Sequence, residues 1–120
     1  MSEYFLKGRP DEETWTQEGC YITELCNASD IPDTSLALAR VKPGVTTQLH
    51  LLEGTAEVYV VIEGTGEMEV GEDRFRVSAG DKVMIPAGVP QRITATGEED
   101  LRFYCLCTPR FLPACYVALE

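Results

Sequence analysis

Short β-forming segments of five to seven residues recur through most of this 120-residue chain. Turn-forming pairs such as Pro43-Gly44 and Gly71-Glu72 separate them. No apolar repeat of helical period is found, apart from a short turn expected between Pro109 and Cys115. Many short strands punctuated by Gly and Pro predict an all-β sandwich or barrel. The nine predicted strands cover residues 20–26, 36–41, 47–52, 57–62, 66–70, 73–77, 82–86, 91–96 and 101–107.

The length and composition fit one globular domain. A chain of this size buries one hydrophobic core and is too short for a second. Its 44% hydrophobic and 25% charged residues are typical of a folded globular protein. We expect a single domain made of an N-terminal arm at 1–19, a β-barrel at 20–107 and a C-terminal extension at 108–120.

The formal net charge of -10, from 20 acidic and 10 basic residues, argues against several classes of partner. Such a surface repels phosphate backbones and anionic membranes, and the sequence has no basic stripe that would offset this repulsion. No apolar run reaches the roughly 18 residues of a transmembrane helix, and the polar, acidic start is unlike a signal peptide. We therefore expect neither nucleic-acid binding nor membrane association.

The five cysteines indicate where the chain works. An odd number suggests free thiols and a reducing compartment, so we expect a cytoplasmic protein. Cys105 and Cys107 form a C-x-C pair, which lacks the C-x-x-C spacing of redox and zinc motifs. We expect both to be small apolar residues of a strand with no catalytic role. Strand parity alone leaves open whether Cys105 or Tyr104 faces inward.

One hairpin can be predicted in detail, in the segment GEMEVGEDRFRV. A two-residue loop at Gly71-Glu72 fits a type II′ turn, which joins tightly paired antiparallel strands. The resulting register pairs Glu67 with Arg76, Met68 with Phe75, Glu69 with Arg74 and Val70 with Asp73. Opposite charges would then lie on the outer face and an apolar pair on the inner face, as in a half-buried ribbon.

The strand at residues 57–62 differs because it is apolar on both faces. Alternation places Glu57, Tyr59 and Val61 on one face, and residues 58, 60 and 62 on the other. A barrel interior would cover one face. The other would need the N-terminal segment or a second subunit, so we expect a homodimer.

Two stretches of the sequence resemble the motifs of a known family, the cupins. PGVTTQLHLLEGTAEVYVVIEGTG is similar to the first cupin motif, which places a His-x-His pair and a Glu between two glycines. AGDKVMIPAGVPQRI is similar to the second, which runs from Gly through Pro-x-Gly to His. The resemblance implies a small single-domain cupin with a jelly-roll β-barrel, also called a double-stranded β-helix. The positions that match are Gly44, Gln48, His50, Glu57 and Gly64 in the first motif, and Gly80, Pro86, Gly88 and Gln91 in the second.

The resemblance also implies a metal site. In metal-binding cupins three histidines and one glutamate hold a divalent metal inside the barrel, and in this chain Gln48 and Gln91 stand where two of those histidines would be. His50, Glu57 and the two amides could hold Fe, Mn, Ni or Zn, with lower affinity and selectivity than three imidazoles. Alternatively, the amides and His50 could bond to one another in a metal-free polar cluster.

Three functions follow from the resemblance. The first is a metal-dependent enzyme acting on a small polar, carbonyl-containing or sugar-like molecule, by isomerase, dioxygenase or lyase chemistry, with Tyr59 as proton donor. The second is a binding or sensing module whose barrel, lined by Tyr59, Val61, Met84 and Ile93, holds a small-molecule ligand without catalysis. The third is a homodimeric scaffold with a vestigial pocket. For Phe111 and Tyr116 we expect packing or dimer contacts.

Overall fold

The structure, a computed structural model, describes residues 4–8 and 12–120. Residues 1–3 and 9–11 of the predicted N-terminal arm lie outside the described residues. The described part contains eleven β-strands and one short 3-10 helix, and none of its helical segments is long or apolar enough to cross a membrane. The strands are β1 Thr14–Trp15, β2 Tyr21–Cys26, β3 Ser35–Val41, β4 His50–Leu52, β5 Ala56–Glu63, β6 Thr65–Val70, β7 Asp73–Ser78, β8 Lys82–Ile85, β9 Gln91–Ala95, β10 Leu101–Thr108 and β11 Tyr116–Ala118, and the 3-10 helix is Pro113–Cys115.

The strands form two antiparallel sheets that enclose the core. The six-stranded sheet has the order β1-β2-β3-β10-β5-β8, and the five-stranded sheet has the order β11-β4-β9-β6-β7. Neighbours in each sheet are mostly distant in sequence, which is the connectivity of a jelly roll rather than of a meander. The predicted all-β jelly-roll barrel is confirmed.

All nine predicted strands are present, and two further strands were missed. β4 begins at His50 rather than at residue 47, because the amide of Thr47 bonds to Ile93 and the amide of Gln48 bonds to the carbonyl of Glu18. β1 has only two residues, too few for a visible alternation. β11 pairs with β4, so part of the predicted C-terminal extension is a strand of the five-stranded sheet.

The predicted β6–β7 hairpin is confirmed in turn and register. Gly71 has a φ of 58°, whereas Glu72 has none of the positive φ that a type I′ turn would need, so the turn fits type II′. Every predicted pair, from Glu67–Arg76 to Val70–Asp73, is found. The prediction that Met68 and Phe75 form an apolar pair on the inner face is confirmed for burial only at Met68. Phe75 remains 39% exposed because β7 is an edge strand.

The parity of β5 is as predicted, and it divides the six-stranded sheet into two unlike faces. Glu57, Tyr59 and Val61 are buried inside the barrel, whereas Ile62 is 41% exposed on the outside. The prediction that Met84 lines the barrel is wrong. Met84 pairs with Val58 on the outer face and is 80% exposed, because its neighbours on β8 are the residues that face inward.

Candidate functional site

One end of the barrel interior is hollow. The cavity has a volume of about 440 Å³, within the range of small-molecule sites. Three adjacent strands of the six-stranded sheet, β3, β5 and β10, supply its main wall. β3 contributes Ser35, Ala37 and Ala39, and β10 contributes Cys105 and Cys107. These side chains are too small to fill the space between the sheets, and the cavity is the result.

The same strands are fully packed at their other ends. Val41 on β3, Val61 on β5 and Leu101 on β10 are at most 1% exposed and do not line the cavity. The rings of Tyr59 and Phe103 stack with their centroids 4.3 Å apart, and both rings line the cavity. This stacked pair therefore forms the boundary between the hollow end and the packed end of the barrel.

Glu57 carries a carboxyl group into the wall of this cavity. It is only 8% exposed, and its Oε2 accepts a long hydrogen bond from the Cys107 thiol at 3.7 Å. Its other oxygen, Oε1, is buried and has no partner of good hydrogen-bond geometry among the described residues, although the Gln91 amide is near enough to lower the pKa of Glu57. Burial and, secondly, the charge of Glu18 raise the pKa of Glu57 to about 7, while Gln91, His50 and Cys107 act in the opposite direction. Near neutral pH the carboxyl group is therefore only partly ionised.

His50 lines the cavity as a neutral imidazole. Its Nδ1 lies 2.8 Å from the carbonyl oxygen of Gln48, and since a carbonyl only accepts, Nδ1 carries the proton. Burial lowers the pKa of His50, although the Gln48 carbonyl and the charge of Glu57 both raise it. The ring stacks on Tyr116 at a centroid distance of 4.6 Å. Nε2 is thus left as the proton acceptor of the ring.

Each of the two glutamines of the cupin motifs accepts a hydrogen bond from a tyrosine hydroxyl. Gln91 is buried next to His50 across β4 and β9, and its Oε1 accepts a hydrogen bond of 2.7 Å from the Tyr59 hydroxyl. Gln48 is half-buried, and its Oε1 accepts a bond of the same length from the Tyr116 hydroxyl. The Nε2 of Gln48 donates to the backbone carbonyl of Glu120. Neither glutamine lines the cavity.

This arrangement does not fit a divalent metal held by the four predicted ligands. The amide oxygens that would have to bind the metal already accept hydrogen bonds from tyrosine hydroxyls. Each amide oxygen keeps a second lone pair, but neither glutamine lines the cavity, so only His50 and Glu57 of the four present a ligand atom to it. Within residues 4–8 and 12–120, no three His, Cys, Asp or Glu side chains come together in a way that could hold a metal ion. We therefore derive no chemical step from a metal.

A second carboxyl group reaches the cavity from a segment that the sequence pattern assigns to the N-terminal arm. Glu18 lines the cavity, and its backbone carbonyl accepts a 2.7 Å hydrogen bond from the amide of Gln48. The side chain keeps some accessible surface toward the cavity but is otherwise enclosed, and this burial raises its pKa to about 7. No periodicity marks Glu18, because it lies in a turn just before β2.

The C-terminal segment also contributes to the cavity. Packing or dimer contacts are the expectation for Phe111 and Tyr116. Tyr116 does pack, by stacking on His50, and both residues also line the cavity, which the sequence did not predict. Cys105 and Cys107 face inward and Tyr104 faces outward, which answers the question that strand parity left open. Burial raises the pKa of both thiols well above the usual range, so they stay protonated. Neither thiol is therefore available as a thiolate nucleophile at neutral pH.

Residues 37–107, more than half of the chain, match the protein family described as the cupin domain. The chain belongs to the cupins. An uncharacterized protein of Methanocaldococcus jannaschii, MJ1618, is 33% identical to this cupin over 98 residues, which are 80% of this chain and 78% of that protein.

Solved structures show the same fold. A Streptomyces PAC13 variant with uridine has a TM-score of 0.81 at 16% identity, and the match covers 100% of this chain and 93% of that one. Pac13 is described as a nucleoside dehydratase. A predicted oxalate decarboxylase of Thermotoga maritima has a TM-score of 0.70 at 24% identity, covering 75% of this chain and 80% of that one. At these identities the likeness establishes the fold and no shared activity.

Proposed function

We propose that this cupin binds a small polar molecule in the barrel cavity and that Glu57 and His50 exchange protons with it. The observation that carries the proposal is the unpartnered Oε1 of the buried Glu57 carboxyl group, in a cavity that also presents a neutral imidazole. A buried polar atom without a partner is costly, and a ligand that bonds to Glu57 would remove that cost.

The two groups are suited to opposite roles in acid–base catalysis. Glu57, with a pKa raised to about 7, holds a proton in a large part of the molecules at neutral pH and can donate it. His50, with a lowered pKa and a proton fixed on Nδ1, can accept one at Nε2. Two titratable groups whose environments shift their pKa values in opposite directions are a common arrangement for acid and base.

The reaction we propose is of the isomerase or lyase type on a molecule with a hydroxyl or carbonyl group. His50 would remove a proton from the substrate, and Glu57 would protonate the oxygen that leaves or becomes a hydroxyl. The description of Pac13 as a dehydratase supports a lyase reaction within this fold. Tyr59, our sequence-based candidate for a proton donor, donates to Gln91, and we propose that it positions the polar end of the cavity.

Nuclear magnetic resonance in D2O tests this proposal. The protein is incubated with uridine, pentoses and hydroxyketones, and the single histidine reports binding through its ring signals. We expect at least one compound to shift these signals and to exchange a carbon-bound proton or lose water. Glu57→Gln and His50→Gln should each slow this reaction by about 100-fold or more.

A cavity-filling variant provides the control for binding. Ala37→Leu should block the cavity without touching Glu57 or His50, and it should abolish both the shift and the reaction. Ala79→Leu makes the same change in an exposed turn and should leave both intact. Shifts without exchange would favour the binding or sensing module instead. The absence of any shift would refute the proposed function.

A divalent metal at Gln48, His50, Glu57 and Gln91 is the alternative that the cupin resemblance implies. The unpartnered Glu57 oxygen supports it, and the hydrogen bonds of the two amides oppose it. Metal analysis of protein purified without a histidine tag, after incubation with Fe, Mn, Ni and Zn, decides between them. We expect less than about 0.1 equivalent of metal in the wild type, since two donors bind weakly. Stoichiometric metal that disappears in His50→Ala would refute that expectation.

We further propose that the protein is a homodimer that pairs through the outer face of the six-stranded sheet. This face carries Ile62, Met84 and Leu106, which are 41%, 80% and 37% exposed. Light scattering coupled to size exclusion should give the mass of two chains. Met84→Glu should lower the mass to one chain, because an unpaired charge buried in an apolar interface is strongly unfavourable. A wild-type mass of one chain would contradict this proposal.

The reducing compartment expected from the sequence also remains a proposal. All five cysteines are free, which supports a cytoplasmic location. Fractionation of cells that express the untagged protein would test it.

A further inference from the structure

The cavity is acidic, and none of the basic side chains in residues 4–8 and 12–120 lines it. Its ionisable carboxyl groups are Glu18, Glu24 and Glu57, and no lysine or arginine is among the described residues that line it. His50 is held neutral by burial and adds no positive charge. Glu24 is exposed, Glu18 is half-buried and Glu57 is buried. A ligand would therefore meet two carboxyl groups without a counter-charge among the lining residues.

Two of the arginines are paired with carboxylates on the outer faces of the sheets. Arg40, on the outer face of β3, bonds to Glu13 and Asp100. Arg92 bonds to Glu69 on the outer face of the other sheet. The charge of Glu18 is instead one cause of the raised pKa of Glu57. An ion that brought a positive charge would replace this repulsion with attraction.

The remainder of the cavity wall is apolar and aromatic. Phe103, Phe111 and Tyr116 line it together with Ile22. Aromatic faces attract cations as well as apolar groups, and a cavity of this kind suits a molecule with one charged end and one apolar end. Phosphate and carboxylate groups would meet repulsion from the carboxyl groups and from the net charge of -10.

We infer that the ligand of this cavity is a small organic cation, an alkyl- or arylammonium. Its charged group bonds to Oε1 of Glu57 and interacts with Glu18, and its apolar part lies against Phe103, Phe111 and Tyr116. This inference rests on the proposed function because it places the ligand in the same cavity. It adds that the substrate carries a positive charge besides its hydroxyl or carbonyl group, so that Glu18 and Glu57 hold one proton between them in the complex. The ionised carboxyl group binds the cation, and the protonated one supplies the proton of the reaction.

Three probes of similar size and different charge test the inference: benzylamine, benzyl alcohol and benzoate. Their binding to the full-length protein is measured by isothermal titration calorimetry and by the ring signals of His50. Benzylamine should bind about tenfold or more tightly than benzyl alcohol, because a charge-assisted hydrogen bond replaces a neutral one. Benzoate should show no binding up to about 10 mM. Benzylamine should also release protons, seen as enthalpies that depend on the buffer, because its charge favours the ionisation of one of the two carboxyl groups.

Two charge-removing variants locate the effect. Glu57→Gln should raise the Kd of benzylamine about tenfold and change that of benzyl alcohol by less than about twofold. Glu72→Gln removes the same charge from an exposed turn and should leave both values unchanged. If Glu72→Gln weakened benzylamine as much as Glu57→Gln did, net charge alone would explain the preference and the inference would fail.

The outcomes separate this inference from the proposed function. Equal binding of benzylamine and benzyl alcohol, with shifted His50 signals, would overturn the cation preference and leave the cavity as a binding site. Tighter binding of benzoate would overturn it as well. The failure of benzylamine to bind would refute the inference, while the uncharged compounds of the D2O experiment would decide the proposed function separately.

Discussion

The two ends of the barrel interior share strands β3, β5 and β10, but they differ in packing and in the chemical groups of their walls. At the packed end, Val41, Met68, Ile93 and Leu101 are completely buried and leave no space for a ligand. At the cavity end, small residues such as Ala37 leave a volume of about 440 Å³ with carboxyl groups in its wall. Packing of large apolar side chains is what stabilises a fold, and buried carboxyl groups oppose it. Stability and ligand chemistry are therefore concentrated at opposite ends of one small domain.

The largest expected effect comes from truncating the packed end. Ile93→Ala should lower the free energy of unfolding by about 2–5 kcal/mol, because it removes buried atoms and leaves a cavity. The matched change at the other end, Ile22→Ala, removes a half-buried side chain that borders the existing cavity and should cost less than half as much. Urea denaturation at a fixed protein concentration measures both. Equal losses would show that the two ends do not differ in packing.

Glu57→Gln should raise the free energy of unfolding rather than lower it, because the substitution removes a destabilising charge. The pKa of Glu57 is about 7 in the folded protein and 4.5 as a reference, so ionisation costs stability as the pH rises through this range. Near pH 4.5 the variant and the wild type should be equally stable. Near pH 8 the variant should be more stable by about 3 kcal/mol, since a tenfold change in a proton-binding constant corresponds to roughly 1.4 kcal/mol.

The control for this pH dependence is Glu72→Gln, which lies in an exposed turn and should change stability little at any pH. Glu18→Gln should act in the same pH window as Glu57→Gln, since the pKa of Glu18 is also raised to about 7. A Glu57→Gln variant that is less stable than the wild type near pH 8 would mean that the carboxylate is compensated in the folded protein.

A smaller effect is expected from the hydroxyl at the boundary between the two ends. Tyr59→Phe removes the donor to Gln91 and leaves a buried amide oxygen without its partner, which should cost about 1–3 kcal/mol. Tyr21→Phe, on the outer face beside Arg40, keeps the ring and should change stability by less than about 0.5 kcal/mol. If the two variants were equally stable, the Tyr59–Gln91 bond would contribute nothing at equilibrium.

The smallest effect is on the titration of His50, which can be followed without ambiguity because the chain has one histidine. Burial should place its midpoint below 6.5. Glu57→Gln should lower the midpoint further, because the charge of Glu57 favours the protonated imidazole. Two-dimensional spectra of the ring signals against pH measure both values. A wild-type midpoint above 6.5 would contradict the neutral imidazole.

The local features of the fold could be predicted because they depend on neighbours in sequence. The alternation of residues 57–62 gave the buried face of β5, and one glycine in a two-residue loop gave the register of the β6–β7 hairpin. The cupin motifs identified His50 and Glu57, which both line the cavity. The motifs also located Gln48 and Gln91, but they did not predict which groups bond to the amides of these two residues.

What the sequence did not reveal depends on contacts between distant segments. Glu18 and Tyr116 belong to the two ends of the chain, and no periodicity connects either of them to β5. The side of β8 on which Met84 lies was predicted wrongly, because a strand of four residues shows too little alternation. The small residues of β3 and β10 are the sequence signal that corresponds to the cavity.

The sequence by itself determined the all-β architecture, the cupin family and the placement of Glu57 on the inner face of β5. Strand alternation and turn geometry are local, so they depend on residues that are close in sequence. Only the tertiary structure decided that two tyrosine hydroxyls donate to the amide oxygens of Gln48 and Gln91, and that a second carboxyl group lines the cavity. Hydrogen bonds and burial of this kind depend on contacts between residues that are distant in sequence, and those contacts exist only in the folded chain.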